Sequence, residues 1–262
     1  MIDILFYIFA VLFGAVVGSF LNVVIVRLPE EGNSIIFPPS HCPACKKDIR
    51  WFDNIPVVSY LVLQGRCRSC KTSISIQYPL VEIAMGLLAA ALFYRFSLSP
   101  AFAGYFLFCA ALLVIIFIDF HHQIIPDVIS LPGILAGFAF SFANPEVSWQ
   151  SSGLGVLFGG GSLYLIAATY YLLTRREGMG GGDIKLLAMI GAFLGWQSLP
   201  FVVFGSSLLG SVVGIFAMIR QKKGGRTVIP YGPFLSIAAI LYLFYNREIQ
   251  NLFNTLFMPP PY

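Results

Sequence analysis

Long apolar blocks alternate with short polar segments along most of this chain. Taking about 20 apolar residues as one crossing of a bilayer, the pattern predicts eight helical spans, at about 4–26, 79–96, 101–118, 128–143, 153–173, 184–198, 200–219 and 232–246. The fourth, sixth and eighth are short. Gln197, Ser198 and Pro200 read as a turn dividing the 184–219 run, which unsplit is too long for one helix. The expected fold class is an all-α integral membrane protein with about eight transmembrane helices. Its segments are a first transmembrane helix at 1–26, a cytoplasmic four-cysteine domain at 27–78 and a seven-helix membrane core at 79–262.

Composition agrees with the pattern. Of 262 residues, 58% are hydrophobic and 11% charged, where soluble domains carry roughly 25% charged residues. The opening run has no basic segment before it and carries its charge at the far end, on Arg27. It therefore reads as a retained helix and not as a cleaved signal peptide.

Charge then orients the spans, because Lys and Arg in short loops stay preferentially cytoplasmic. With the N-terminus outside, one inner loop holds Arg27, Lys46, Lys47, Arg50, Arg66, Arg68 and Lys71. A second holds Arg175, Arg176 and Lys185, and a third Arg220, Lys222, Lys223 and Arg226. Only Arg95 and Arg247 fall outside. The net charge of +4 then describes a basic cytoplasmic face beside anionic membrane lipid, with no nucleic-acid signal.

The polar stretch after the first span contains Cys42-Pro43-Ala44-Cys45 and, after 21 intervening residues, Cys67-Arg68-Ser69-Cys70. Two CxxC pairs so spaced match a four-thiolate zinc site, each pair wrapping one side of a tetrahedral ion. Two disulfides are the alternative, disfavoured because cytosolic thiols are normally kept reduced. A closed four-cysteine site leaves no position for water, so the zinc would be structural. Cys109, alone in the third span, reads as a packed apolar side chain.

Two carboxylates stand at span borders. Asp119 closes an apolar run, and Asp183 follows Gly178-Met179-Gly180-Gly181-Gly182 and precedes Ile184-Lys185. An ionisable side chain at a membrane border is costly unless hydrated, paired or neutralised, so each marks a candidate site. Both fall at the cytoplasmic face. Brought together, two carboxylates can share a proton, one serving as general base for water and the other as general acid. Glycines beside Asp183 would let a substrate backbone approach. Plainer roles exist: Asp183 and Asp127 as helix N-caps, Asp119 as an ion-pair partner of Lys185 or a loop arginine, and His121 and His122 as interfacial side chains.

At these residues the sequence resembles the type IV prepilin leader peptidase family, whose members also N-methylate their products. The likeness covers Gly18-Ser19-Phe20-Leu21-Asn22-Val23, Arg27-Leu28-Pro29, the paired CxxC motifs, Tyr78-Pro79-Leu80-Val81-Glu82 and Asp119 to Asp127. It continues with Gly180-Gly181-Gly182-Asp183-Ile184-Lys185 and Pro230-Tyr231-Gly232-Pro233-Phe234. The resemblance implies a bacterial inner-membrane enzyme with a peptidase core at 79–262. It would cleave the basic leader of type 4 prepilins or pseudopilins after glycine, on the cytoplasmic side. It would then methylate the new N-terminus from S-adenosylmethionine. It implies catalytic Asp119 and Asp183, a site loop of Gly180, Gly181, Gly182 and Lys185, and zinc on Cys42, Cys45, Cys67 and Cys70. No residues mark the methyl-donor site. Other classes to weigh are a proton-coupled transporter, expected to carry acids near mid-span and an internal repeat, and a non-catalytic pilus assembly scaffold.

Overall fold

The structure is a computed structural model describing residues 2–30, 34–37, 39–175, 180–221 and 229–257. Arg176, Gly178, Met179, Lys222, Lys223 and Arg226 lie outside the described residues. Two compact units divide at Ile118/Asp119.

In the first unit, helix α1 (Ile2–Arg27) packs along α3 (Gln77–Phe96), and the four-cysteine segment between them contains a 3-10 turn at Trp51–Asn54 and the short α2 (Val58–Val62). The buried stripe of α3 is Val81, Met85, Ala89 and Leu92, at the three- and four-residue spacing that aligns side chains on one helical face. Away from that seam α1 exposes Ile4, Leu5, Ile8, Phe9, Leu12 and Val16. Apolar side chains turned outward over successive turns suit a helix solvated by lipid. The unit ends within α4 (Pro100–His122).

The second unit takes the last turn of α4, then α5 (Asp127–Phe140), α6 (Trp149–Thr174), α7 (Gly181–Leu194), α8 (Leu199–Gln221) and α9 (Gly232–Phe257). Helix α7 is its centre. Every residue from Leu186 to Leu194 is buried, with α5, α6 and α9 against it. Gly155 of α6 and Gly191 of α7 touch backbone to backbone, so a Cβ on either would collide with the other's carbonyl. Gly159 likewise lies against Leu187 and Gly160 against Ala188, while Gly161 meets nothing. Small residues thus set this helix pair at close range.

Each expected span coincides with a helix, yet the count of about eight crossings is not confirmed. Among the described residues, five helical segments are long and apolar enough to cross a membrane: Ile4–Arg27, Gln77–Phe96, Pro100–His122, Trp149–Thr174 and Trp196–Ile219. With 14 residues each, α5 and α7 reach about 21 Å against a hydrocarbon core of about 30 Å. In α9, Tyr245 departs from helical dihedrals, beside the expected end at 246, and polar Asn246, Arg247 and Glu248 follow. The division of the 184–219 run is present: Gly195, at φ +78, ends α7, and a 3-10 turn at Trp196–Ser198 leads into α8.

Candidate active site and metal centre

The apolar run of α4 reaches Ile118, one turn short of the helix end. Gln123 takes φ 56 and donates its N–H to the Asp119 carbonyl at 2.9 Å, a left-handed stop of the kind that closes helices. Asp119 therefore sits in the last turn. Its side chain is only 5% exposed because it faces the start of α9. There the Gly232 N–H donates to Asp119 Oδ2 at 3.0 Å. Gly232 is the first residue of α9, where backbone N–H groups lack helical partners and carry partial positive charge. A Cβ at Gly232 would stand 2.6 Å from that oxygen, so glycine is what lets the amide reach the carboxylate. Tyr231 holds the turn in place, its hydroxyl lying 2.6 Å from Ser206 Oγ and 3.0 Å from Ser207 Oγ on α8.

Asp183 occupies the first turn of α7, half-buried, and lies close enough to Asp119 for that carboxylate's charge to act on it. The two aspartates, 64 positions apart in the chain, thus converge within one compact unit. Ile125 walls the same region, since a Cβ at Gly182 would meet Ile125 Cβ at 2.9 Å and one at Gly232 would meet its Cδ1 at 3.1 Å. Gly180 and Gly181 have nothing within 4 Å of where a Cβ would stand, leaving open space ahead of Asp183.

The capping expectations need correction. The N-cap of α7 is Gly180, with no side-chain cap; the helix begins three residues earlier than expected because its first turn accepts the glycines. Asp183 is therefore free of capping duty. The N-cap of α5 is Pro126, and Asp127 instead binds Lys185, with Nζ 2.7 and 2.8 Å from its two carboxylate oxygens. Lys185 is thus drawn to Asp127 on α5, and the expected alternative of a pair with Asp119 is not what forms. In the sequence Gly232 stands only as part of the Pro230-Tyr231-Gly232-Pro233-Phe234 motif. Its signal was available: glycine before proline at the head of an apolar run marks a helix start, whose free amide seeks an acceptor.

The cysteine segment folds as two copies of one knuckle. Cys42 N–H bonds the Lys47 carbonyl and Lys46 N–H the Cys42 carbonyl, as Cys67 bonds Thr72 and Lys71 bonds Cys67. Lys46 and Lys71 take φ 58 and 60, and the bridges His41–Asp48 and Arg66–Ser73 close the two hairpins. Four sulfurs result, all within 4.8 Å of one another, with Cys42 and Cys70 Sγ 3.7 Å apart. Four zinc–sulfur bonds of about 2.3 Å place tetrahedral sulfurs about 3.8 Å apart. The quartet could therefore hold a metal ion, and its sulfurs are not joined as disulfides. Hydrogen bonding with the Thr72 side chain and backbone pulls the Cys70 thiol down to about 6, while Cys45, against a backbone hydrogen bond from Lys47, is pushed up to about 11 by burial and the other three cysteines; a metal requires thiolates. Cys109 is fully buried, as expected of a packing residue.

Two family models match the chain in order. The bacterial peptidase A24 N-terminal domain covers residues 12–96 and the type IV leader peptidase family covers 106–215. The first includes all four clustered cysteines and the second both aspartates. Relatives named prepilin leader peptidase/N-methyltransferase come from Pseudomonas aeruginosa, 37% identical over 95% of this chain and 93% of theirs, and from Neisseria gonorrhoeae, 38% over 94% and 92%. One from Aeromonas hydrophila is 36% identical over 97% and 96%. No solved structure matches. The transporter and scaffold readings find no support in these matches. On the aspartate pair, the cysteine quartet and these matches together, the chain belongs to the type IV leader peptidase family.

Proposed function

We propose that the protein removes the basic leader of type 4 prepilins or pseudopilins after a glycine, by aspartic catalysis, and then methylates the exposed N-terminus from S-adenosylmethionine. The observation that carries the reading is the convergence of Asp119 and Asp183 in one unit, with the Gly232 amide on Asp119. Asp119 accepts a hydrogen bond from a helix N-terminus, an arrangement that favours the ionised carboxylate. It is the base: it takes a proton from water while the water oxygen attacks the carbonyl carbon of the scissile bond. Asp183 carries the shared proton and gives it to the carbonyl oxygen. As the tetrahedral intermediate collapses, the departing amine takes the proton held by Asp119, the C–N bond breaks, and a hydroxyl of the former carbonyl carbon returns its proton to Asp183, leaving a carboxylic acid. The open space around Gly180 and Gly181 admits the extended leader.

Cys42, Cys45, Cys67 and Cys70 would hold one zinc ion, whose contribution is to fix the fold of the segment. The excess of basic residues in three loops supports an inner-membrane location with the aspartates facing the cytoplasm, where a prepilin still bearing its leader would present it. Incubating the purified protein with a prepilin and labelled S-adenosylmethionine tests the reading. It expects release of the leader and one labelled methyl group on the mature N-terminus. An intact prepilin would refute it.

A further inference from the structure

Buried carboxylates among the described residues are Asp119 and Glu82, and the peptidase uses only the first. Glu82, on α3, is 7% exposed. Its Oε2 accepts the Val57 N–H at 2.7 Å, and the Ser19 side chain of α1 lies close to the same carboxylate. Among the described residues no basic side chain is paired with it. One turn along the same α1–α3 seam lies Asn22 of α1, 1% exposed. Asn22 Nδ2 donates to the Tyr78 carbonyl at 3.0 Å and the Gly18 carbonyl at 3.3 Å, while its Oδ1 meets no donor. Turning the amide over would set its oxygen against two carbonyls, so the orphan is fixed by its neighbours.

These side chains form one seam. Tyr78 and Glu82 are a turn apart on α3, Gly18 and Asn22 a turn apart on α1, and a Cβ at Gly18 would stand 2.8 Å from the Glu82 Cα. Asn22 is five residues from the end of α1 and Glu82 five from the start of α3, so both lie about 8 Å inside their helix ends. A buried carbonyl without a donor and a buried carboxylate without a counter-charge are each costly. What completes both is a small cation with several N–H donors, which is the description of a primary ammonium group.

We propose that Asn22 and Glu82 hold the α-ammonium of the cleaved pilin for N-methylation, an inference that rests on the methyltransferase reading above. Glu82 takes one proton from the ammonium, and Asn22 Oδ1 accepts a second N–H to aim the nitrogen. The freed lone pair attacks the methyl carbon of the sulfonium donor. The N–C bond forms as the C–S bond breaks, and the C–S electron pair stays on sulfur as a neutral thioether. The product is a methylammonium, and the Glu82 proton returns to water.

The test separates the two activities. Glu82→Gln keeps the shape and the acceptor for Val57 but removes the charge. Prepilin cleavage and methylation of a leaderless pilin peptide from S-adenosylmethionine are measured on the same preparation. Cleavage is expected within about twofold of the parent, with methylation lowered at least about 30-fold, the effect of neutralising one member of a buried charge pair. The loss should fall on kcat and on the KM for the peptide and not on the KM for the donor, and Glu82→Asp should recover part of it. Parent-like methylation by Glu82→Gln would overturn the proposal, leaving the carboxylate a clamp on Val57 or a seat for the ammonium of a lipid headgroup. Loss of cleavage together with methylation would overturn it too, as a structural effect. A parent protein that cleaves but never methylates would defeat the methyltransferase reading itself.

Discussion

The cysteine quartet and the aspartate pair are built in opposite ways. The cysteines come from two copies of one local knuckle, each closed by hydrogen bonds within a few residues, and only their meeting is long-range. The aspartates come from the end of one helix and the start of another, and the amide that orients Asp119 lies 113 residues away. A site assembled from two local knuckles owes its geometry to short-range hydrogen bonds within each. A site assembled from helix ends depends on the packing of the whole unit.

Substitutions should sharpen this contrast. Asp119→Asn should have the largest effect, lowering leader cleavage by about 10³-fold or more, the scale of losing a general base, while methylation of a leaderless pilin continues. Loss of both activities would break the separation. Gly232→Ala comes next: its methyl group must displace the Asp119 carboxylate, and misplacement of a catalytic group by about 1 Å can cost about 10²-fold. A fall of about 10- to 100-fold in kcat with little change in KM is expected. Cys67→Ser with Cys70→Ser should reduce metal from about one ion per chain to none, as a four-ligand site binds one ion. It should expose the segment to proteolysis, while cleavage per folded molecule falls less than about tenfold. Lys185→Met should matter least. Its pair with Asp127 is well exposed on both sides, and such pairs contribute about 0–1 kcal/mol, so activity should stay within about twofold and the thermal midpoint should barely move.

How much was legible in the sequence follows the same division. CxxC spacing is a local quantity, and it identified all four cysteines. Asp119 and Asp183 were visible because charge is conspicuous beside long apolar runs. Their partners were not: Gly232 donates through its backbone, which leaves no side-chain signature, and Lys185 finds Asp127 across 58 residues. A glycine run reads as loop and so leaves Asp183 at a capping position in the sequence, whereas the first turn of α7 absorbs Gly181 and Gly182. Helix positions were legible from hydropathy; the number of crossings was not, since α5 and α7 are apolar but short. In the sequence Asn22 and Glu82 stand only as motif members, because burial and an orphaned carbonyl are properties of the packed seam.

The most direct test of the central claim is single-turnover cleavage of a prepilin by purified Asp183→Asn protein whose metal content and thermal midpoint match the parent's. The account predicts no leader released over the interval in which the parent releases all of it. Leader release at the parent rate would contradict the aspartate pair as the catalytic site.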